Sequence, residues 1–174
     1  MISKDFKAVL GKSFPFDAEI EEALLGSIII DPTVLPGAQA VVTSTDFYIE
    51  VNSQVFVVLC KMHEQGLAIN EATLRTFLSP KQIAHTSLPF DQLERGEMDN
   101  RLARYTTPYP SPMEWETYAR IVRRDSIART CIRMYLRAIE LLVTNGLDIQ
   151  ELLTRTVGKL QEYQEELSDG NNPD

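Results

Sequence analysis

One long stretch without helix-breaking residues limits most strongly what this chain can fold into. Residues 113–144 contain neither proline nor glycine, and Asn145-Gly146 follows as a stop signal. The stretch predicts a single helix, which at about 1.5 Å per residue is roughly 48 Å long. A second helix is predicted from about Asp148 to Leu167. Two long helices joined by so short a turn predict an antiparallel hairpin.

The apolar side chains of the first hairpin helix cover more of its circumference than one partner helix can bury. At about 100° per residue they spread over roughly 220°, whereas a stripe of about 100° suffices for one buried face. Either the rest of the chain folds onto this helix, or another copy packs against it. The predicted self-association surface consists of Tyr118, Ile121, Ile127, Ala128, Cys131, Ile132, Met134, Tyr135, Ala138, Ile139 and Leu142.

The second hairpin helix carries a single apolar seam, which is enough for one partner helix. Arginines mark the polar side of the first helix, where Arg129, Arg133 and Arg137 follow at four-residue spacing. A solvated face with salt bridges inside the hairpin is one interpretation, and a docking surface for a charged partner is the other. The seam of the second helix consists of Ile149, Leu153, Thr156, Leu160, Tyr163 and Leu167.

Residues before Met113 predict a small head of shorter helices. Asp17 is a suitable N-cap for a helix that ends at Asp31-Pro32, and the acidic residues of its first turns are explained by the helix dipole. Further helices are expected over 32–42, 51–65, 71–78 and about 90–104, although Pro36-Gly37 could break the first of these. The predicted organisation is an N-terminal arm (1–16), a helical head (17–112) with a Pro-rich loop (79–112), a helical hairpin (113–167) and a polar tail (168–174).

The composition suits an all-α fold, with a small multi-helix head followed by a long antiparallel two-helix hairpin. Hydrophobic residues make up 44% of the chain, and the formal net charge is −8. That charge argues against a general duplex-DNA binder, since non-specific affinity for phosphate comes from clustered Lys and Arg. Cys60 and Cys131 fall in predicted helices, which favours a reducing cytoplasm over a disulfide framework. Neither a signal peptide nor an apolar run of about 20 residues is apparent, so no membrane association is expected.

Motifs that suggest chemistry are weak. Gly11-Lys12-Ser13 resembles the end of a phosphate-binding loop, but Phe6 occupies the position of its first glycine. Cys60 and His63 have half the spacing of a zinc site without a second half. We therefore expect no catalytic residue, cofactor or metal, while a small metal-binding or nucleic-acid-binding helical protein stays an alternative. DNA contact is expected only indirectly.

Three stretches resemble signatures of one family, in the family's order and approximate spacing. They are similar to those of the N-terminal domain of DnaB-type replicative DNA helicases, and the similarity covers about residues 15–165. Glu50 and Asn52 depart from it, since the family usually has Pro and His after the second signature. The stretches are EIEEALLGSIIID (19–31), Asp46-Phe47-Tyr48 with Phe56, and YARIVR (118–123) with Ile127 and Arg129.

The resemblance implies a specific role. In that family the hairpins pair into dimers, the dimers build a collar on a hexameric motor, and primase docks on the collar. A RecA-like ATPase domain is expected to be absent from these 174 residues. The function that follows is a non-catalytic assembly and docking module, which binds itself and offers a platform for primase or full-length helicase. A stand-alone regulator that caps a helicase or primase partner is the alternative.

Overall fold

The computed structural model describes residues 14–78, 95–106, 111–143 and 149–169. Every regular element in these ranges is helical, as the sequence predicts. Short 3-10 turns at Pro32–Val34, Ser44–Asp46 and Pro112–Glu114 separate or precede some of the helices. The α-helices are α1 (Ala18–Ile30), α2 (Leu35–Val41), α3 (Glu50–Glu64), α4 (Glu71–Phe77), α5 (Arg95–Thr106), α6 (Trp115–Val143) and α7 (Ile149–Asp169).

The chain divides into two compact units. The head unit is Asp17–Arg123, and the distal unit consists of Met1–Phe16 and Arg124–Asp174. The division falls within α6, so this helix contributes residues to both units. The prediction of a multi-helix head followed by a two-helix hairpin is confirmed, with α6 and α7 as the hairpin helices. Its turn at Asn145-Gly146 lies outside the described residues.

Local signals set several helix ends where the sequence predicts them. The carboxylate of Asp17 accepts hydrogen bonds from the N–H groups of Glu19 and Ile20, at 3.0 and 3.2 Å, and so caps α1. Asn70 caps α4 by accepting the N–H of Thr73 at 3.0 Å. After α3 the backbone turns at Gly66, whose φ of 66° suits glycine. Near the other end of the chain, α7 continues to Asp169, two residues beyond the predicted limit, because no breaker precedes Gly170.

Gly37 acts in packing rather than as a helix breaker. Helix α2 runs through Pro36-Gly37, with the proline in its first turn, where no helical N–H is lost. A Cβ atom added at Gly37 would lie 2.5 Å from Cη2 of Trp115. The missing side chain therefore gives the indole room to lie against α2, and local turn chemistry cannot predict this contact.

The head core joins residues from all six helices that the structure describes in this unit. Leu24, Leu59 and Tyr105 are completely buried, in α1, α3 and α5. The part of α6 within the head adds Ala119 and Val122 to the same cluster. The beginning of α6 is therefore an element of the head core, which uses part of its wide apolar arc.

A buried carboxylate, Glu21, caps a helix other than its own. It accepts the N–H of Tyr48 at 2.6 Å and the N–H of Ile49 at 3.3 Å, immediately before α3, whose N-cap residue makes no side-chain cap bond. It also accepts the amide N–H of Asn52 at 3.0 Å, and Asn52 in turn accepts the hydroxyl of Tyr105 at 2.9 Å. The dipole of α1 therefore does not fully explain why an acidic residue is present at position 21. The charge of Glu21 also stabilises the N-terminus of α3.

A long-range ion pair holds the start of α6 within the head. Arg123 donates to the carboxylate of Asp46 at 2.8 Å, and Asp46 also accepts the N–H of Thr43 at 2.7 Å. Because Asp46 is almost fully buried, this pair is less screened than a surface pair. Each of the three stretches that resemble the helicase family is therefore tied to another by these bonds: Glu21 to Tyr48, and Asp46 to Arg123.

No single helix in the described ranges is long and apolar enough to cross a bilayer. Only Ala18–Ile30 and Pro32–Val41, taken together across a bend of 111°, reach the required length and composition. Their apolar side chains belong to the head core: Leu24, Leu25, Ile28 and Leu35 are all completely buried. Packing inside the head therefore explains the hydropathy of this pair.

Removing the Glu21 carboxylate should destabilise the head. We expect Glu21→Ala to lower the free energy of unfolding by about 3 kcal/mol, because Ile49 and Asn52 lose a charged acceptor in a buried place. Urea unfolding followed by circular dichroism measures this difference. Glu19→Ala, on the exposed side of α1, is the control and should stay within about 0.5 kcal/mol of the parent. Equal stability of both variants would contradict the role of Glu21 as a cap.

Candidate protein-interaction surface

An exposed apolar stripe runs along the distal part of α6. Four large side chains recur at steps of three, four and three residues, so they lie on one face of the helix. Between 37% and 50% of each is exposed. Such a contiguous apolar face on a helix is typical of a surface that another element covers. The α6 stripe consists of Ile132, Tyr135, Ile139 and Leu142.

Helix α7 carries a second exposed stripe. The sequence predicted that this face of the helix packs against one partner helix. Ile149, Leu153 and Val157 follow at steps of four and are each at least half exposed. Leu167 is also exposed, whereas Thr156, Leu160 and Tyr163 of the predicted seam are half-buried. The seam therefore divides into an inner row and an outer row. Val157 belongs to the outer row, although the predicted seam did not include it. Its position four residues after Leu153 would have placed it there. We call Ile149, Leu153 and Val157 the α7 stripe.

The other residues of the predicted self-association surface are less accessible. Tyr118 packs against the head core, and its hydroxyl donates to the carboxylate of Glu114 at 2.7 Å. Ile127 is buried. The remaining five are half-buried. They are Ile121, Ala128, Cys131, Met134 and Ala138.

The three predicted docking arginines have different environments. Only 2% of Arg129 is exposed, and its guanidinium donates to the backbone carbonyl of Pro15 at 2.8 Å. The guanidinium of Arg133 lies over the ring of Phe14, 5.6 Å from its centroid. Arg137 is exposed and donates to Glu140 at 2.6 Å. Arg133 and Arg137 can thus face a partner, whereas Arg129 has a structural contact.

Two titratable side chains of the head, Cys60 and Tyr118, have raised pKa values. Burial raises the pKa of the Cys60 thiol, which keeps it protonated at neutral pH. The hydrogen bond to Glu114 raises the pKa of Tyr118, because the neutral hydroxyl is the donor. Within the described ranges no three His, Cys, Asp or Glu residues are grouped to hold a metal. Gly11-Lys12-Ser13 and His85 lie outside those ranges.

Fold and surface together define an all-α domain with a small head and a helical hairpin. The sequence model of the family described as "DnaB-like helicase N terminal domain" matches residues 13–124. The chain belongs to this family. The match is to the N-terminal domain and not to the ATPase domain of such a helicase.

Curated relatives are replicative helicases that are longer than this chain. The "Replicative DNA helicase DnaB" of Geobacillus stearothermophilus is 25% identical over 156 residues, which cover 90% of this chain and 32% of the relative. The "Replicative DNA helicase DnaC" of Bacillus subtilis (strain 168) is 25% identical over 148 residues, which cover 85% of this chain and 31% of the relative. The chain thus spans about a third of the length of these relatives.

A solved structure has the same fold. The N-terminal domain of DnaB helicase from Mycobacterium tuberculosis superimposes with a TM-score of 0.66. The alignment covers 90% of this chain and 99% of that chain, at 16% sequence identity. At this identity the likeness concerns the fold alone, and it extends over the head and the hairpin.

The buried arginine on α6 generates a prediction of its own. Arg129→Met should lower the free energy of unfolding by about 2 kcal/mol, since a buried charge-assisted hydrogen bond to Pro15 is lost. Chemical denaturation of the purified chain measures the change. The matched control is Arg155→Met, which removes only an exposed ion pair with Glu151 and should cost less than about 0.5 kcal/mol. Similar losses in both variants would show that Arg129 has no special role.

Proposed function

We propose that this chain is a non-catalytic assembly and docking module that self-associates through its helical hairpin. The observation that carries the proposal is the pair of exposed apolar stripes on α6 and α7. Membership of the DnaB-like helicase N-terminal domain family supports a place in DNA replication. The partners that we propose are a second copy of the chain, and primase or a full-length replicative helicase.

Energetics favour a second copy as the cover of the stripes. Complete burial of a Leu, Ile or Val side chain contributes about 1.5–3 kcal/mol, and roughly half of each stripe side chain is still exposed. In a two-fold dimer each stripe is used twice, so about fourteen partly exposed side chains leave water together. This gain is large enough to exceed the loss of translational and rotational freedom on association, about 4–15 kcal/mol.

The docking part of the proposal depends on the polar side of α6. Arg137 pairs with Glu140 on the surface, with more than half of each side chain exposed. Such pairs contribute only about 0–1 kcal/mol, so Arg137 can exchange Glu140 for a partner's carboxylate at little cost. Arg133 lies one turn earlier and adds a second cation. A partner with an acidic surface, on primase or on a helicase subunit, fits this side.

A stand-alone regulator is the second candidate, and the same stripes favour it. One curated relative, the "Replicative DNA helicase DnaB" of Geobacillus stearothermophilus, is similar in sequence over 90% of this chain, so the regulator would pair its stripes with the matching region of such a helicase. As a regulator, the chain forms mixed complexes with full-length helicase and slows its unwinding when added in excess. As an assembly module, it forms defined homo-oligomers, and added copies leave unwinding unchanged. Mass measurement and an unwinding assay therefore separate the two functions.

An aspartate in the α6 stripe should convert the oligomer into a monomer. We expect this of both Ile132→Asp and Ile139→Asp, because each would place an uncompensated carboxylate in a buried interface. Multi-angle light scattering across a concentration series measures the mass. Because neither residue belongs to the head core, helicity and the unfolding transition should stay close to those of the parent.

The matched control places the same charge elsewhere on the hairpin. Arg155 is exposed on α7 and lies about 160° round the helix from both Leu153 and Val157, so Arg155→Asp should leave the oligomer intact. If both stripe variants keep the parent's mass, self-association through α6 is wrong. A parent chain that stays monomeric at the highest concentration would overturn the proposal as a whole.

A charge reversal tests the docking side separately. Arg137→Glu should weaken binding to primase or to full-length helicase and reduce the salt dependence of that binding, since a cation at the rim of an interface is lost. The mass of the isolated oligomer should not change. Titration followed by fluorescence anisotropy at two salt concentrations provides the measurement. Unchanged affinity at low salt would exclude Arg137 from the docking surface.

A further inference from the structure

One apolar side chain of the head lies almost entirely in solvent. Met113 is 93% exposed, whereas the next most exposed large apolar side chain in the described ranges, Ile149 on α7, is 59% exposed. Methionine is unbranched and polarisable, and surfaces that bind varied partners use it often. Ile30, the last residue of α1, is also exposed. These two side chains are therefore a starting point for a contact with another molecule.

The backbone under Met113 is fixed to the head. The carbonyl of Ser111 accepts the N–H of Glu114 at 2.9 Å, which closes the 3-10 turn around Met113. The same carbonyl accepts the hydroxyl of Ser27 in α1 at 3.3 Å. A side chain on such a fixed base is presented without much loss of backbone freedom on binding.

The same contacts place Met113 and Ile30 on one side of the head. Ile30 follows Ser27 by three residues, so both lie on the same face of α1. The turn Pro112–Glu114 packs against this helix, with Cα atoms of the two elements within 8 Å of each other. We call Ile30 and Met113 the head patch. Both residues belong to the head unit, whereas the α6 and α7 stripes belong to the distal unit.

Two carboxylates accompany the head patch, one directly after each of its residues. Asp31 accepts the hydroxyl and the N–H of Thr33, at 2.6 and 3.0 Å, and these bonds lower the pKa of Asp31. Glu114 accepts the hydroxyl of Tyr118 at 2.7 Å. Both carboxylates are therefore held in place before any partner arrives, and they give the patch an acidic rim.

The part of the chain that contains α1 and α2 carries negative charges only. Residues 13–60 include seven Asp or Glu and neither Lys nor Arg. Two of these acids have cations from elsewhere in the head, since Asp46 pairs with Arg123 and Glu22 lies 3.8 Å from Arg104. The remaining charge gives this part of the surface a negative potential, which attracts cationic groups.

We propose that the head patch is a docking site for a basic amphipathic segment of another protein. The apolar side chains of that segment cover the patch, and its Lys or Arg side chains pair with Asp31 and Glu114. This site is additional to the docking surface at Arg133 and Arg137 and has the opposite sign. It does not depend on self-association through the stripes.

Charge decides among the possible occupants of the head patch. A second copy that presented the same patch would bring the carboxylates of the two rims together, and like charges across an interface are unfavourable. Nucleic acids and anionic membrane surfaces are repelled by the same rim. A cationic segment with one apolar face matches the patch and the rim at once.

Methyl NMR tests the site directly. With isotope-labelled methionine methyl groups the chain has five reporters, and Met113→Leu identifies the signal of Met113. The probe is a synthetic peptide of about 15 residues, with leucines at steps of three and four and lysines elsewhere, which gives one apolar helix face. We expect the Met113 signal to shift and saturate on titration. A peptide of the same composition in scrambled order should leave it in place.

Other patterns of shifts would overturn the proposal. A Met113 signal that stays in place would remove this ligand from the head patch, and a shift of Met134 alone would place the peptide on α6. A Met113 shift on concentrating the chain without peptide would assign the patch to a second copy. A Met113 shift with duplex DNA would assign it to nucleic acid.

Fluorescence anisotropy of the labelled peptide measures the contribution of the apolar side chains. Met113→Ser and Ile30→Ser should each raise the dissociation constant about tenfold, since each removes an apolar contact residue. Leu67→Ser is the matched control, because Leu67 is an exposed apolar side chain between α3 and α4 in the same unit. Its dissociation constant should equal that of the parent. Equal losses in all three variants would overturn the assignment to the head patch.

A double amide variant tests the acidic rim. Asp31→Asn combined with Glu114→Gln keeps an acceptor oxygen at both positions, so the local hydrogen bonds are retained. The affinity for the peptide should fall about fivefold at low salt, and its salt dependence should decrease. Glu64→Gln combined with Glu71→Gln removes two exposed charges elsewhere in the head and should leave the affinity unchanged. Equal losses in the two double variants would show an effect of net charge alone and would overturn the role of the rim.

Discussion

The long helix α6 has to satisfy two environments with one continuous backbone. Its first turns bury Ala119 and Val122 in the head core, and Arg123 fixes them to the buried carboxylate of Asp46. From Arg124 onward the helix belongs to the distal unit. There, apolar side chains such as Ile132 and Ile139 are partly exposed. The proposed assembly surface therefore lies on the part of α6 that belongs to the distal unit.

Glu21 and Asn52 form the polar centre of the head. Asn52 is completely buried between two elements. Its amide donates to Glu21 and its carbonyl accepts from Tyr105, so both polar ends are paired within the core. An amide has a donor and an acceptor at once, which suits this bridging position. Asn52 therefore connects α1, α3 and α5 by hydrogen bonds.

Local signals were sufficient to predict the helices, but not the contacts between them. The N-caps Asp17 and Asn70 accept hydrogen bonds from N–H groups only two or three residues further along the chain, so the sequence alone predicts them. Glu21 caps a helix 28 positions away, and Gly37 accommodates the indole of Trp115. Such pairings depend on how the helices pack together, and the periodicity of a sequence carries no information about that packing. For the same reason the wide apolar arc of α6 predicted an interaction surface, while Tyr118 and Ile127, placed on it by periodicity, are held in packed positions.

The charge of the chain determines how strongly the proposed surface can act. Copies of a protein with a formal charge of −8 repel each other at a distance, and salt screens this repulsion over about 10 Å. Apolar stripes attract only on contact. The balance favours an assembly that forms at high local concentration and separates on dilution, as docking to an exchanging partner requires.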